Sequence, residues 1–203
     1  MIRDRARRRT LHLIGGALTA TGLGALPARA VSIAGIPIPD TTRLTPDGPT
    51  LLLNGAGERK ILLFQIYAIG LYLAERAKTL EQVLAQPGPK RLYMVMLRNG
   101  ITSAQVHDHV VARLTDGTQP HEMAVMKQRM DELDRIIQSQ NVIDRGGTIA
   151  IDYLPAQGTL IRVNDGVRGE PIPGPEFYQA ILRIWLGAGA KSAVLRDALL
   201  GRG

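Results

Sequence analysis

Arg59 and Tyr67 are the two residues whose types and spacing best suit the recognition of an anion. Arg59 precedes, and Tyr67 sits within, the apolar run Lys60 to Leu73 (KILLFQIYAIGLYL). Both belong to its odd-numbered set, with Leu63 between them. On an extended chain without an intervening bulge, odd positions point to one side. A guanidinium and a phenol above an apolar floor suit a ligand with one anionic or carbonyl head and an apolar body. On spacing alone, a surface arginine at the start of a strand and a tyrosine in the core is the better reading.

His107-Asp108-His109 invites a metal reading, with His121 the next histidine along the chain. On a helix, residues two apart point about 200° from each other, so the two imidazoles diverge. The expectation is a solvated helix face and no metal. No cofactor is implied either. There is no G-x-S-x-G, H-E-x-x-H or Walker loop, and the glycines of Gly55-Ala56-Gly57 lead into a strand where a dinucleotide fold needs a helix. Cysteine is absent, which removes disulfides, thiolate metal sites and thiol nucleophiles from consideration.

The elements that must position these residues can be read from pattern and punctuation. Thr50–Leu53 reads as a short strand closed by Asn54-Gly55, after an irregular lead-in over Gly35–Pro49. The Lys60–Leu73 run is apolar on both alternating sets. It predicts a strand covered on both faces, with Gly70 marking a bulge or close backbone approach that splits it in two. Thr79–Ala85 predicts a short helix ended ahead of Pro87, and Arg91–Arg98 another strand. Thr102 or Ser103 caps a helix with a Val106, Val110 and Leu114 stripe. A second helix follows Pro120, with Met123, Met126, Met130, Leu133 and Ile137 at spacings of three and four. Its methionines suit core packing, and also a cavity that adapts to an apolar guest. Thr148–Leu154 and Thr159–Asn164 form a hairpin through Pro155–Gly158. Pro175 opens a helix running to Gly187, and a last one covers Ser192–Leu200. Strands and helices come in runs, so the class is α+β with a mainly antiparallel sheet.

The N-terminus reads as an address. Five arginines in the first nine residues precede the apolar stretch Leu11–Leu26, and Ala28-Arg29-Ala30 supplies a small-x-small cleavage pattern. Residues 1–30 are therefore expected to be a cleavable signal and 31–203 a single domain, with Arg8-Arg9-Thr10-Leu11 resembling a twin-arginine signal. The apolar stretch contains four glycines and is short for a membrane span, so none is expected after cleavage. The expected location is the periplasm. The formal charge of +7 misleads: six of the 25 basic residues but only one of the 18 acidic ones lie in the first thirty, leaving about +2. A nearly neutral domain has no electrostatic reason to bind nucleic acid.

The segment LLLNGAGERKILLFQIYAIGLYL resembles the chalcone isomerase superfamily, in particular its bacterial exported chalcone isomerase-like branch. LRNGITSAQVHDHVVARL, GGTIAIDYLPAQGTLIRVNDGV and GPEFYQAILRIWLG fit the same family in the same order. The resemblance implies an open-faced β-sandwich, a large antiparallel sheet with helices layered on one face and a ligand cleft between. Plant isomerases of the family close a flavanone ring with an arginine, threonine, tyrosine and asparagine, whereas other members bind fatty acids through an arginine and a tyrosine. By that likeness Arg59 is the family arginine in G-A-G-x-R, and Tyr67 stands where the isomerases have threonine. Thr102 falls where their tyrosine belongs and His109 where their asparagine belongs. Arg59 with Tyr67 matches the carboxylate-binding pattern, and most of the isomerase set is missing.

Three readings follow. The first is an exported binding protein for a small amphipathic ligand such as a fatty acid, its head held by Arg59 and Tyr67. The second is an isomerase or intramolecular lyase in which Arg59 polarises a carbonyl or enolate and Tyr67 or His109 handles the proton. The third is a non-catalytic protein of an envelope complex whose partner is unknown.

Overall fold

The computed structural model describes residues 30–116, 123–140 and 142–203. The N-terminal segment through Arg29 and His121 lie outside the described residues, so the export expectation and any role of His121 are not addressed by the fold.

Strands β1 (Ala30–Ile33), β2 (Ile36–Pro39) and β3 (Thr41–Thr42) are followed by β4 (Leu51–Ile61) and β5 (Phe64–Leu73). Helix α1 (Leu80–Ala85), β6 (Lys90–Met96), β7 (Ile101–Thr102), α2 (Ser103–Asp116), α3 (Met123–Gln138) and β8 (Val142–Ile143) come next. The chain ends with β9 (Thr148–Leu154), β10 (Gly158–Val163), β11 (Gly166–Ile172), α4 (Pro175–Leu186) and α5 (Ala193–Leu199). Seven strands form one antiparallel sheet in the order β11-β10-β9-β6-β5-β4-β3. The α2–α3 pair is an excursion between the adjacent strands β6 and β9, and its two ends are tied together by β7 pairing β8.

The helices share one face of the sheet. Tyr67, Ile69, Leu71, Leu92, Met94, Ile151 and Ile161 point from it into a core with Leu114 of α2, Leu133 of α3, Phe177 and Ile181 of α4 and Leu199 of α5. The opposite face carries a smaller cluster, Leu51, Leu53, Ala68, Tyr72 and Val95, covered by Ile38 of the β1–β2 hairpin and Leu44. Among the described residues no helix is long and apolar enough to cross a membrane.

The expected elements are largely present, with the capping chemistry that predicted them. Thr79 and Ser192 accept from the backbone N–H groups of Gln82 and Leu195, at the starts of α1 and α5. Three expectations need correction. The Gly35–Pro49 lead-in contains a hairpin, turned by Ala34 and Gly35 with φ of 51° and 80°. The β4–β5 connection is not at Gly70 but at Leu62-Leu63, where Ile61 pairs Phe64. Asn54-Gly55 is no turn: β4 passes through it with a bulge at Asn54, whose buried amide donates to Ala77 and Leu199 carbonyls and accepts from the Ala77 N–H. A further strand, β11, joins the sheet edge after a turn in which Asn164 and Asp165 both have positive φ.

Gly55 and Gly57 explain the small-residue stretch of β4. A Cβ on Gly55 would lie 2.0 Å from the Ala198 carbonyl oxygen, and one on Gly57 would lie 2.8 Å from Leu195. Helix α5 therefore seats directly on the backbone of β4, two residues before Arg59.

Candidate functional site

Between the helix layer and the sheet lies a cleft of about 550 Å³. Its floor is Met94 and Met96 of β6, Ile149 and Ile151 of β9, and Ile161 and Val163 of β10. Its roof is Val106 and Val110 of α2, Leu133, Ile136 and Ile137 of α3, and Ile181 of α4. The volume falls in the usual range of small-molecule sites. At about 30 Å³ per methylene-sized group, the share of a water molecule in its liquid, it has room for an alkyl chain of a dozen carbons or more.

Arg59, Tyr67, His109 and Arg113 form one polar group in the lining, with Arg98, Asn99, Gln105 and Gln140 among its other polar residues. Arg59 lies opposite Tyr67 in the β4–β5 ladder, so both side chains leave the same face as nearest cross-strand neighbours. The sequence placed the two on one strand with no bulge between them. The structure reaches the same juxtaposition across a hairpin, and a bulge makes it. Lys60 pairs Gln65, and the ladder then skips Ile66 to put Tyr67 opposite Arg59.

Helix α2 supplies the other side. Val106, His109, Val110 and Arg113 fall at helical spacing and line the cleft together. His109 is half-buried here, which corrects the expectation that the His107–His109 stretch is a solvated helix face. His107 points elsewhere, its Nδ1 3.5 Å from Asp134 Oδ1, so the imidazoles diverge as the helix requires. Among the described residues no group of His, Cys, Asp and Glu is arranged to hold a metal ion. Thr102 does not line the cleft. Its hydroxyl accepts from the Gln105 N–H at 3.3 Å, while the Gln105 side chain accepts from the Thr102 N–H at 3.0 Å, a reciprocal cap on α2.

Arg113 was missed by sequence reasoning: its position four residues after His109 and three after Val110 places it on their face, but a guanidinium there is equally at home on a solvated helix surface. Among the described residues neither Arg59 nor Arg113 is paired with a carboxylate, and the sole acid lining the cleft, Asp108, is exposed. Arg59, Tyr67, His109, Arg113 and Trp185 also face a void of about 10 Å³ beneath Lys191 and Ser192, which holds no more than a water.

Electrostatics at this cluster sort the roles. The Tyr67 hydroxyl accepts the indole N–H of Trp185 at 2.8 Å, leaving its own O–H free to donate into the cleft. Burial raises the Tyr67 pKa, opposed by the Trp185 hydrogen bond and the Arg59 and Arg113 charges. At neutral pH it is a donor and not a base. Burial, followed by the Arg113 and Arg59 charges, pushes the His109 imidazole down to about 4. It is uncharged at neutral pH. Two guanidiniums, a phenolic donor and a neutral imidazole beside an apolar chamber offer hydrogen-bond donors and positive charge of the kind that can hold one anionic head.

The profile of the chalcone isomerase-like family matches residues 30–201. Comparison with curated protein sequences gives no match. Among solved structures, the fold is similar to the crystal structure of a fatty-acid binding protein from Arabidopsis thaliana, with a TM-score of 0.56 and 14% identity. That likeness covers 79% of this chain and 95% of the plant chain.

Proposed function

Taking as premise that this chain belongs to the chalcone isomerase-like family, we propose that it binds a small amphipathic acid, a fatty acid fitting best, and does not cyclise chalcones. The observation that carries the reading is the pair of guanidiniums, Arg59 and Arg113, grouped beside Tyr67 in a largely apolar cleft of about 550 Å³ without carboxylate partners among the described residues. Two half-buried cations side by side repel each other, and a ligand carboxylate between them supplies the missing counter-charge. Tyr67 adds a third donor. The alkyl chain lies along the β6–β9–β10 floor, where the thioethers of Met94 and Met96 adapt to its shape. The structural likeness to a fatty-acid binding protein supports the fold that such a cleft needs.

The proton-handling groups argue for holding a ligand over turning it over. With Tyr67 held in its phenol form and His109 a weak base at about 4, neither is tuned for general-base work near neutral pH. Thr102 is spent on a helix cap.

We further propose that residues 1–30 are removed on export and that the protein works in the periplasm. The family match begins at residue 30, where the cleavage pattern ends. N-terminal sequencing of protein recovered from the periplasm of a two-membraned bacterium should read Val31, and an intact N-terminus would overturn the cleavage reading.

The ligand reading is tested by native mass spectrometry of the protein purified from its own host, beside Arg59→Ala. The expected result is a co-purifying small acid that is lost from the variant. A wild-type protein that is empty and also ignores added fatty acids refutes it.

A further inference from the structure

The turn of the β4–β5 hairpin presents four consecutive apolar residues to solvent. Ile61 is 48%, Leu62 88%, Leu63 95% and Phe64 57% exposed. The other large exposed apolar residues, such as Val167 and Val194, are scattered singly along the chain, as on any soluble surface. The turn is also chemically unusual. Leu62 has a φ of 53°, a conformation in which two-residue hairpins favour Gly, Asn or Asp. A leucine there is strained in the folded chain and brings no packing in return, since its side chain is in water.

The tip adjoins the cleft. Ile61 and Phe64 line it, as does Arg98, whose guanidinium lies over the Phe64 ring at 4.8 Å from its centroid. Lys60 precedes the tip, paired with Glu58 at 2.6 Å. Exposed Arg145 donates its backbone N–H to Asn99, another lining residue, while Asp144 accepts from the Gly100 N–H. Of the charged residues on the strands and turns beside the tip, Lys60, Arg98 and Arg145 outnumber Glu58 and Asp144 by one, and Asp108 on α2 is the exposed acid of the cleft lining.

We propose that this hairpin tip is a wedge that docks the mouth of the cleft onto a lipid bilayer bearing anionic headgroups. Leu62 and Leu63 enter the acyl boundary, and Arg98, Arg145 and Lys60 remain at headgroup level. A bilayer fits better than a protein partner or a second copy of the chain. With large side chains offering about 150–250 Å² each, the four expose roughly 500 Å² on the convex end of a two-residue turn, which has no flat or concave face for a protein to pack against. A narrow turn needs no complementary surface to enter lipid. Docking there would bring a membrane-borne amphipathic acid to the cleft without a passage through water. The purpose of docking thus rests on the ligand reading, but docking itself does not require an occupied cleft.

The absence of cysteine makes a single-site probe straightforward. The full chain carrying Leu63→Cys, labelled with an environment-sensitive nitrobenzoxadiazole, is mixed with ligand-free vesicles of phosphatidylcholine and phosphatidylglycerol in a 3:1 ratio. Some of the lipids carry a nitroxide near the glycerol end of the acyl chain. Arg76→Cys, exposed beyond the opposite end of β5, is the reference position. Because the label reports its own surroundings, attachment through the N-terminal apolar segment would not mimic tip insertion. The expected result is a blue shift and at least two-fold quenching at position 63 with none at 76. A label at 63 as solvated as at 76 overturns the proposal. So does one protected before lipid is added while the chain self-associates, which would assign the tip to a second copy.

A double variant, Leu62→Asn with Leu63→Ser, supplies turn chemistry that suits the backbone. It should keep or raise the melting temperature, bind a soluble short-chain acid within two-fold of wild type, and show at least ten-fold weaker tip-dependent vesicle binding. Unchanged vesicle binding would overturn the docking role. Arg59→Ala should do the reverse, docking normally while losing the acid, so the two readings fail separately.

Discussion

If Arg59 and Arg113 hold a carboxylate, removing either should cost affinity for an acid and little for an alcohol of the same length. The perturbations are Arg59→Gln and Arg113→Gln, singly and together, against dodecanoate and dodecanol. A hydrogen bond to a charged group contributes about 1.5–3 kcal/mol. Arg59 and Arg113 are partly exposed, which favours the lower end. Each single change should therefore weaken dodecanoate by about ten-fold or somewhat more, with dodecanol shifting less than three-fold. The double variant should fall short of the product of the two losses or exceed it, because both cations address one anion and neighbouring sites are coupled by about 0.5–3 kcal/mol. The protein carries its own reporter. Trp185 is the only tryptophan, it lines the cleft, and its N–H is bonded to Tyr67 at 2.8 Å, so ligand arrival should change its emission. Arg59→Lys should recover part of the acid affinity but not all, since an ammonium keeps the charge and loses the planar two-donor fork. Equal weakening of acid and alcohol in Arg59→Gln would refute the reasoning, because the arginine would then be shaping the cleft and not reading charge.

Further predictions concern the groups around that head-group site and the frame that holds it. His109 titrates at about 4 in the folded protein against about 6.5 unfolded. The unfolded chain therefore takes up that proton first, and the stability contribution, complete above about 6.5, is lost as pH falls toward 4. Allowing for solvent screening, it amounts to roughly 2 kcal/mol. His109→Asn should flatten this part of the stability–pH curve measured by urea unfolding, and in the Arg59/Arg113 double variant the imidazole pKa read by NMR should rise. On the opposite sheet face, Asp152 is fully buried and accepts from Arg91 at 2.6 and 2.7 Å and from Arg162 at 3.1 Å. Asp152→Ala leaves two partly buried guanidiniums facing each other and should cost about 3 kcal/mol in urea unfolding. Gly55→Ala drives a Cβ into the Ala198 carbonyl and should cost about 2–3 kcal/mol, with crystals showing α5 displaced from β4.

Much of the fold was legible because its elements carry their own punctuation. Thr79, Ser192 and Pro175 mark helix starts by capping or by a preset φ, and Pro155–Gly158 marks a hairpin by composition. The β4–β5 turn was illegible for the opposite reason: Leu62-Leu63 carries no turn residue, so an apolar run hides the reversal. Strand β11 contains Gly169 and Pro171 and sits at the sheet edge, where β-propensity is least enforced. The Asn164-Asp165 pair that introduces it was a signal left unused. In the site, Arg59 and Tyr67 could be singled out by residue type. Arg113 could not be separated from an ordinary helix surface until the α2 roof was seen to turn its 106, 109, 110 and 113 positions inward.

The two register shifts of the β4–β5 hairpin tie the family motif to the ligand site. If the ladder ran unbroken from Leu53 opposite Tyr72, Arg59 would pair Ile66 and leave on the face of Leu53, away from the helices. The extra residue at Asn54 shifts Gly55, Gly57 and Arg59 to the helix side, opposite Leu71, Ile69 and Tyr67. The second shift, at Ile66, restores the pairing that closes the hairpin at Ile61 and Phe64. The segment Gly55-Ala56-Gly57-Glu58-Arg59 is thus the stretch between two bulges, facing opposite to what simple alternation from Leu53 dictates. Its glycines are needed because that inverted stretch meets α5, and its arginine reaches the cleft because the same inversion carries it there. Seating α5 and aiming Arg59 are consequences of one inserted residue. Removing the Asn54 bulge should therefore abolish both together, whereas Gly55→Ala should disturb the helix and leave the register of Arg59 against Tyr67 in place.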